Sequence, residues 1–363
     1  MLTKVSKSVS DPGLHLMNFD NAIINGDFSI WQRGESFVSS DTTYYYFADM
    51  WFLNHSTDIG DTSVIDTTKE EEDGSNGIFS YARLTVNTAV TSLVSSSWFT
   101  VNYPIEGYNI RKFANKSICI SFWVRSSITG KFTLAIRNPS FTYSCVATIE
   151  INSADTWEFK EIVFPPLSVP GLSNFYFDNQ RGFLISIDFV PGGDNDTTTF
   201  NIWTNTNTYS AADQTNFLAI SGTTIDLANF KMNPGVVATP FEYLPTAITE
   251  MLCKRYCQRF GTSDQAYNNF GSGHWYDTVT AWIIIKYFQE MRAVPTVSFS
   301  SQTGFFVYNG GGGWTRTTGI GGEMVGKQSL RLQTVVDSGG TTGNVAMLST
   351  ANATAYILLS AEL

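Results

Sequence analysis

The stretch that decides the fold class reads Ser117-Ile118-Cys119-Ile120-Ser121-Phe122-Trp123-Val124-Arg125. Every second side chain in it is strongly apolar, which is the period of a β-strand with one buried face. Residues 131–137 and 183–189 repeat this alternation, and clusters of Gly, Pro and polar residues separate such runs. Many short strands with one apolar face each predict an all-β protein built on a β-sandwich.

Composition supports a folded β-protein whose surface carries few charges. The chain has 363 residues, of which 43% are hydrophobic and only 15% are charged. A core can therefore form, and wholesale disorder is excluded. The formal net charge of −10 argues against a nucleic-acid partner, because a phosphate backbone requires a basic surface. No apolar run approaches the ~20 residues of a membrane-spanning helix, so membrane insertion is not expected.

The four cysteines do not form the pattern of a disulfide framework. Cys253 and Cys257 stand four positions apart in a predicted helix, which is poor geometry for a bridge. Cys119 and Cys145 lie in strand-like runs and are expected to be buried thiols. Residues 1–20 lack the apolar stretch of a secretory signal peptide. These features predict assembly in a reducing cytoplasm.

The pattern changes after residue 245. Apolar residues recur at intervals of four between Thr246 and about Phe260, which predicts one helix. Residues 278–288 are apolar on both faces and predict a fully buried strand. We therefore expect a second, smaller β-sandwich over residues 246–363, with one leading α-helix.

Several short motifs carry a family resemblance. The chain begins MLTKVSKS, continues with Asn21-Ala22-Ile23-Ile24-Asn25-Gly26-Asp27-Phe28-Ser29-Ile30-Trp31-Gln32-Arg33-Gly34, and closes on Ser360-Ala361-Glu362-Leu363. Each piece resembles part of the structural proteins that form fibres and appendages on tailed phages. Arg255-Tyr256-Cys257-Gln258 and residues 291–297 resemble a small domain that is common after jelly rolls in such proteins.

A second pair of motifs marks the limits of the first sandwich. Asn25-Gly26-Asp27-Phe28 opens it, and residues 230–245 close it. The pair resembles the first and last strands of jelly rolls similar to carbohydrate-binding modules. The resemblance implies three parts: a virion-docking arm over residues 1–20, a jelly roll over residues 21–245, and the small C-terminal domain over residues 246–363.

The resemblance also implies a candidate metal site. Carbohydrate-binding jelly rolls often hold a structural calcium ion between their terminal strands, and Asp27 and Asp226 match that region, with Asn25 as a further oxygen donor. The alternative is that both aspartates only cap turns through their side-chain oxygens. No cofactor is expected to be required. The three histidines are scattered, and one Cys pair alone does not predict zinc.

No catalytic motif is present, so the chain is not expected to be an enzyme. It lacks a Gly-x-Ser-x-Gly elbow and a phosphate-binding loop. Aromatic side chains are the remaining candidates, because sugar rings stack on them. Trp123, on the polar face of its strand, and the cluster Tyr44, Tyr45 and Tyr46 are the predicted glycan-stacking residues; the alternative is that each belongs to the core.

These observations predict a virion protein of a tailed phage, assembled in the host cytoplasm. The resemblance implies a homotrimeric fibre or appendage that contacts other virion proteins through its arm and binds a glycan on the host surface. The acidic chain favours a neutral or amine-bearing glycan. Two alternatives stay open: a purely structural head or tail adaptor, and a depolymerase that cleaves capsular polysaccharide with a carboxylate pair.

Overall fold

The computed structural model describes residues 20–38, 44–59, 65–167, 171–261, 266–311 and 313–363. The predicted arm over residues 1–20 lies outside this part of the chain, except for Asp20. None of the helices in the described segments is long and apolar enough to cross a membrane.

The N-terminal part of the molecule is a sandwich of two six-stranded sheets. Its strands are β1 Ser36–Val38, β2 Tyr44–Tyr46, β3 Phe52–His55, β4 Ile65–Glu71, β5 Ser80–Val86, β6 Phe99–Glu106, β7 Ile118–Ser126, β8 Gly130–Arg137, β9 Ser144–Ile151, β10 Glu158–Phe164, β11 Arg181–Asp188 and β12 Thr224–Pro234, with the short helix α1 Gly107–Ile110 after β6. Sheet I has the order β1-β4-β5-β12-β7-β10, and sheet II has the order β2-β3-β6-β11-β8-β9. The neighbouring strands run antiparallel.

The period-2 pattern places the core between the two sheets, as predicted. In β7, Ile118, Ile120, Phe122 and Val124 all belong to one large hydrophobic cluster, while Trp123 stands on the opposite face of the strand. Strands β8 and β11 contribute their alternate apolar residues to the same cluster. Burial of these side chains is the main stabilising contribution to the sandwich.

The two motifs at the limits of the sandwich lie next to each other. The amide of Phe230 donates to the carbonyl of Gly26 over 2.8 Å, and the amide of Ala22 donates to the carbonyl of Met232 over 3.0 Å. A Cβ atom on residue 26 would lie 2.1 Å from the carbonyl oxygen of Phe230, which explains the glycine in the opening motif. A register shift between Ala228 and Lys231 bends β12 at this point.

The C-terminal part begins with the predicted helix, α2 Thr246–Lys254, and is otherwise built from β-strands. Its strands are β13 Cys257–Phe260, β14 Asn269–Trp275, β15 Thr280–Lys286, β16 Thr296–Phe299, β17 Phe305–Tyr308, β18 Trp314–Glu323, β19 Ser329–Val336, β20 Val345–Thr350 and β21 Ile357–Ser360. Six strands close into a barrel in the order β14-β15-β19-β18-β17-β20, and β13, β21 and β16 form a separate sheet. One hydrophobic cluster joins the barrel and this sheet, which refines the expected smaller sandwich.

Two local predictions for this part were wrong. The helix ends at Lys254, and residues 257–260 form β13, because they pair with β21 at the end of the chain. Strand β15 is not buried on both faces: Ile283 and Ile285 point into the barrel, but the side chain of Ile284 is 46% exposed. A closed barrel has only one dry face, so a run that is apolar on both faces leaves one of them outside.

Polar side chains fasten the two parts together. Arg255 donates to the carboxylate of Glu106 through Nε at 3.0 Å and Nη2 at 2.6 Å, and the Tyr256 hydroxyl donates to it at 2.7 Å. Gln32 donates to the carbonyl of Cys257 over 2.8 Å. The ring of Tyr256 joins the core cluster of the first sandwich. The division of the chain after residue 245 stays a prediction, and these contacts are what would hold the two parts together.

Candidate functional site

The predicted glycan-stacking residues lie on opposite faces of the sandwich. Tyr44 is on the outer face of sheet II, and Trp123 is on the outer face of sheet I. Residues on the two outer faces are separated by the whole core, so these side chains cannot contribute to one site. Each of them lines a different cleft.

Only one of the three predicted tyrosines is available in a cleft. The rings of Tyr44 and Tyr46 pack on Phe52 with centroid distances of 4.7 and 5.3 Å. The Tyr46 hydroxyl donates to the carbonyl of Leu363, and its ring lies under the Arg33 guanidinium, so it belongs to the contact between the two parts. Tyr45 points the other way, where its hydroxyl contacts Thr67 and burial raises its pKa to about 12. Strand alternation thus removes Tyr45 from the predicted stacking surface.

The cleft on sheet II is an open groove of about 440 Å³, which we call the Arg137 cleft. Its lining consists mainly of aromatic, amide and arginine side chains from five strands and the loops beside them. The lining residues are Tyr44, Phe52, Asn54, Trp98, Thr100, Asn102, Arg137, Phe141, Arg181, Leu184, Asn195, Asn207 and Tyr209.

A chain of hydrogen bonds orders the floor of the Arg137 cleft. Arg137 donates to the Ser186 hydroxyl through Nη2 at 2.8 Å and Nε at 3.2 Å. That hydroxyl donates to Oδ1 of Asn102 over 2.7 Å, and Nδ2 of Asn102 donates to Oγ1 of Thr100 over 2.8 Å. Because β6, β11 and β8 are neighbours in sheet II, these side chains form one row across the sheet. Their orientations are set before any ligand arrives.

Aromatic rings stand at the rim of the Arg137 cleft. The side chains of Tyr44 and Phe141 are 44% and 38% exposed, although both are large and apolar. Phe141 has a left-handed φ of 54°, which is uncommon for a residue other than glycine. The side-chain oxygen of Asn138 accepts the amides of Thr142 at 2.8 Å and Tyr143 at 3.0 Å, which holds the turn in this shape. An exposed ring on a strained, braced turn suggests a ligand contact.

Sequence reasoning missed the two arginines and Phe141. Arg137 appeared only as the polar end of an alternating strand, and Arg181 and Phe141 lie beside turns with no motif. A charged residue on the outer face of a central strand was the one available signal, because such a position is costly unless the charge is used or paired.

Trp123 lines a second groove, of about 610 Å³, on sheet I, which we call the Trp123 cleft. Its ring lies 5.4 Å from that of Phe159 and is half-buried against the small cluster of Ile78, Tyr81 and Ala228. Trp123 therefore has one face in packing and one face toward the groove. The other lining residues are Asn76, Gly77, Ser121, Phe159, Glu161, Asn229, Ala238, Thr239, Pro240, Phe241 and Tyr243.

The three predicted calcium ligands each have protein partners. The side-chain oxygen of Asn25 accepts the amide of Ile30 at 2.9 Å, and its amide donates to backbone carbonyls. Asp27 accepts the hydroxyl of Ser29 at 3.1 Å, and burial raises its pKa. Asp27 thus makes the contacts that the turn-capping alternative predicts, and the calcium site stays a prediction. In the described ranges, no group of three or more His, Cys, Asp or Glu side chains could hold a metal ion.

Asp226 is the centre of an ion-pair network on the outer face of sheet I. Its Oδ1 accepts Nε of Arg83 at 2.8 Å, and its Oδ2 accepts Nε of Arg125 at 2.7 Å. Arg125 also reaches Glu72, with 3.3 Å between the closest atoms. With a guanidinium on each oxygen, this carboxylate is poorly placed to bind a cation, because the two positive charges would repel it.

The chain has distant structural likenesses among known proteins. No family model and no curated protein matches the chain. Among solved structures, TmCBM61 in complex with β-1,4-galactotriose is 9% identical, covering 59% of this chain and 98% of its own, with a TM-score of 0.29. A family 11 carbohydrate-binding module from a Clostridium thermocellum cellulosomal cellulase is 14% identical, covering 56% and 98%, with a TM-score of 0.27. A family 30 carbohydrate-binding module is 13% identical, covering 59% and 88%, with a TM-score of 0.29. Likenesses at these TM-scores carry no argument about function, which has to rest on the clefts themselves.

Proposed function

We propose that the protein binds a glycan in the Arg137 cleft. The observation that carries the proposal is the pairing of exposed rings at the rim, Tyr44 and Phe141, with a floor of preoriented hydrogen-bonding side chains. Sugars present apolar C–H faces and many hydroxyls, so they need both kinds of contact in one groove. A volume of about 440 Å³ suits a short segment of an oligosaccharide.

A single groove of this kind binds weakly. Stacking and hydrogen bonds are offset by desolvation and by the ordering of side chains and sugar. We therefore propose that the protein works in several copies, as a homotrimer repeated on a particle. Linked copies can raise the apparent affinity by ~10²–10⁴ without new contacts.

The wider role we propose is that of a virion protein of a tailed phage. It would be an appendage that docks through residues 1–20 onto other virion proteins and presents the jelly roll to the host surface. The support is the resemblance of the opening, central and closing motifs to fibre and appendage proteins. Deletion of residues 1–20 should leave a folded protein that no longer joins particles.

Two alternative functions remain distinguishable by experiment. As far as the structure describes its lining, the Arg137 cleft contains no Asp or Glu, so a carboxylate pair for glycoside hydrolysis has no candidates there. A depolymerase would release reducing ends from host polysaccharide, whereas the binding protein would not. A purely structural adaptor would bind no glycan, and particles that lack it would adsorb normally.

The direct test is a glycan array with paired tyrosine variants. Tyr44 and Tyr176 are each 44% exposed, but only Tyr44 lines the Arg137 cleft. Tyr44→Ala and Phe141→Ala are expected to weaken binding by about two- to twelvefold, since a stacked ring contributes about 0.5–1.5 kcal/mol. Tyr176→Ala is the matched control and should bind as the unmodified protein does. Equal binding by all three variants would remove the Arg137 cleft as the site.

A further inference from the structure

Two positive side chains stand side by side in the Arg137 cleft. The guanidinium carbons of Arg137 and Arg181 each lie 5.0 Å from the ring centroid of Phe141. Arg137 is only 7% exposed, and its guanidinium also stacks on Tyr209 at 4.3 Å. Both arginines therefore present charge to the groove beside an exposed aromatic ring.

Neither arginine has a counter-ion in the described part of the chain. Arg137 donates only to neutral groups, the Ser186 hydroxyl and, over 3.4 Å, the side-chain oxygen of Asn207. Arg181 donates to the carbonyl of Pro139 over 3.1 Å, and its Nε is buried without an acceptor. No carboxylate lies within 4.0 Å of either guanidinium among the described ion pairs.

The electrostatics of the pair reflect this lack of a partner. Burial lowers the pKa of Arg137 to about 10, and the nearby charge of Arg181 acts in the same direction. Burial also lowers the pKa of Arg181. The negative charge of Asp188 acts against this lowering of the Arg137 pKa. Asp188 does not line the cleft, however, and burial raises its own pKa to about 7. Both guanidinium groups stay protonated at neutral pH, and their positive charges are only partly balanced by nearby negative charge.

Several other shielded arginines have a carboxylate partner, whereas Arg259 and Arg292 donate to backbone carbonyls. Arg83 and Arg125 share Asp226, Arg33 contacts Glu362, and Arg255 contacts Glu106. A shielded guanidinium without a counter-ion lowers stability, and two adjacent ones repel each other as well. Such an arrangement becomes favourable when a ligand brings the missing negative charge.

We propose that the Arg137 cleft selects a sugar that carries a carboxylate, which would lie between Arg137 and Arg181 while the sugar ring stacks on Phe141. This inference rests on the proposed glycan-binding function and names its ligand class. Charge-assisted hydrogen bonds between a guanidinium and a carboxylate are the strong kind. The proposal reverses the expectation of a neutral or amine-bearing glycan. Net charge is screened beyond about 8 Å at physiological salt, so the local charges decide.

The test compares acidic glycans with their neutralised forms. The purified full chain is titrated calorimetrically with oligouronate and with the same oligomer after methyl esterification, which keeps the backbone and removes the charge. We expect the free acid to bind at least about tenfold more tightly, as one charged hydrogen bond contributes about 1.5 kcal/mol or more. Arg181→Gln should abolish this preference, so that the ratio of the two affinities falls to about one.

Arg316 supplies the matched control for the loss of one charge. It lies on the barrel, stacks on Phe306 at 5.1 Å, and donates to the carbonyl of Thr303. Arg316→Gln should keep the preference for the acid. Arg137→Gln should lose it as well, and because Arg137 also orders the floor of the cleft, its folding is checked by circular dichroism.

An array of uronated, sulfated and neutral glycans distinguishes an error in the ligand class from an error in the glycan-binding function. Binding of uronated glycans above their neutral counterparts, dependent on Arg181, supports the proposal. Preference for neutral glycans, lost in Tyr44→Ala, overturns the ligand class and keeps the glycan-binding function. A preference for sulfated over uronated glycans overturns the proposal that the charged group of the ligand is a carboxylate. Absence of binding to every class overturns both.

Discussion

Arg33 donates from Nη2 to Oε1 of Glu362 over 3.0 Å, across a sequence separation of 329 residues. One residue comes from the opening motif and the other from the closing motif, so the two motifs meet at the contact between the sandwich and the C-terminal part. Arg33 also lies 3.5 Å from the buried carboxylate of Asp49. The motifs that carried the family resemblance thus include residues that join the two parts.

Removal of Arg33 should destabilise the protein strongly. Arg33→Met leaves Glu362 and Asp49 buried without their cation, which costs about 3 kcal/mol or more of unfolding free energy. Lys69→Met removes the cation from a surface pair with Glu35, whose side chain is 67% exposed, and should cost less than about 1 kcal/mol. Urea unfolding measures both. Equal losses would show that the buried pair is not a specific source of stability.

Stability should fall as the pH rises from 5 to 7. Burial raises the pKa of Asp188 from 3.8 to about 7, and it has the same effect on Asp49. Between these values the folded state binds more protons than the unfolded state, so each carboxyl contributes a loss of up to about 1.4 kcal/mol per pH unit. Melting temperatures across this range measure the slope. Asp188→Asn should reduce it, and an unchanged slope would contradict the assignment.

Trp123→Ala should lower stability without affecting binding in the Arg137 cleft. The ring is half-buried against the cluster of Ile78, Tyr81 and Ala228, so its loss should cost about 2 kcal/mol, below the range for a fully buried Trp. Tyr44→Ala should show the opposite behaviour: it should bind glycan more weakly than the unmodified protein and lose little stability. Thermal unfolding and glycan titration of both variants test the difference. Loss of binding in Trp123→Ala would move the site to the Trp123 cleft.

Removal of divalent cations should leave the melting temperature unchanged. Both oxygens of Asp226 already accept guanidinium groups, and Asn25 is bound to the backbone. Thermal unfolding with EDTA, and with added calcium, measures the effect. A drop in EDTA that calcium restores would instead support the predicted structural ion. Asp226→Asn should destabilise under both conditions, because Arg83 and Arg125 would lose their shared partner.

A cut at the boundary should leave the two parts associated. Residues 245–247 are exposed, so a protease site inserted after Leu244 should be accessible. Glu106 lies before the cut and Arg255 and Tyr256 lie after it, so their contacts should hold the fragments together. Size-exclusion chromatography would then show one species in buffer and two in denaturant. Separation in buffer would show that the sandwich and the barrel are held only by the chain.

The sequence predicted what depends on local periodicity. Strand β7 follows its alternation residue by residue, and the glycine of the opening motif marks a close backbone contact. Periodicity failed where pairing over a long distance decides the outcome. Residues 257–260 continue a helical pattern but form a strand, because β21 offers them hydrogen-bond partners about 100 positions later, as in the pair Cys257 and Ser360.

The candidate site was decided by tertiary structure. Alternation told which face of a strand Tyr44 and Trp123 occupy, but only the stacking of the sheets placed them on opposite sides of the molecule. Arg137 and Arg181 carried no motif, and they became a site because adjacent strands of sheet II brought them to the same ring without a carboxylate. Side-chain period is a property of the strand itself, whereas the neighbours that compensate or fail to compensate a charge depend on how distant strands are ordered in the sheet.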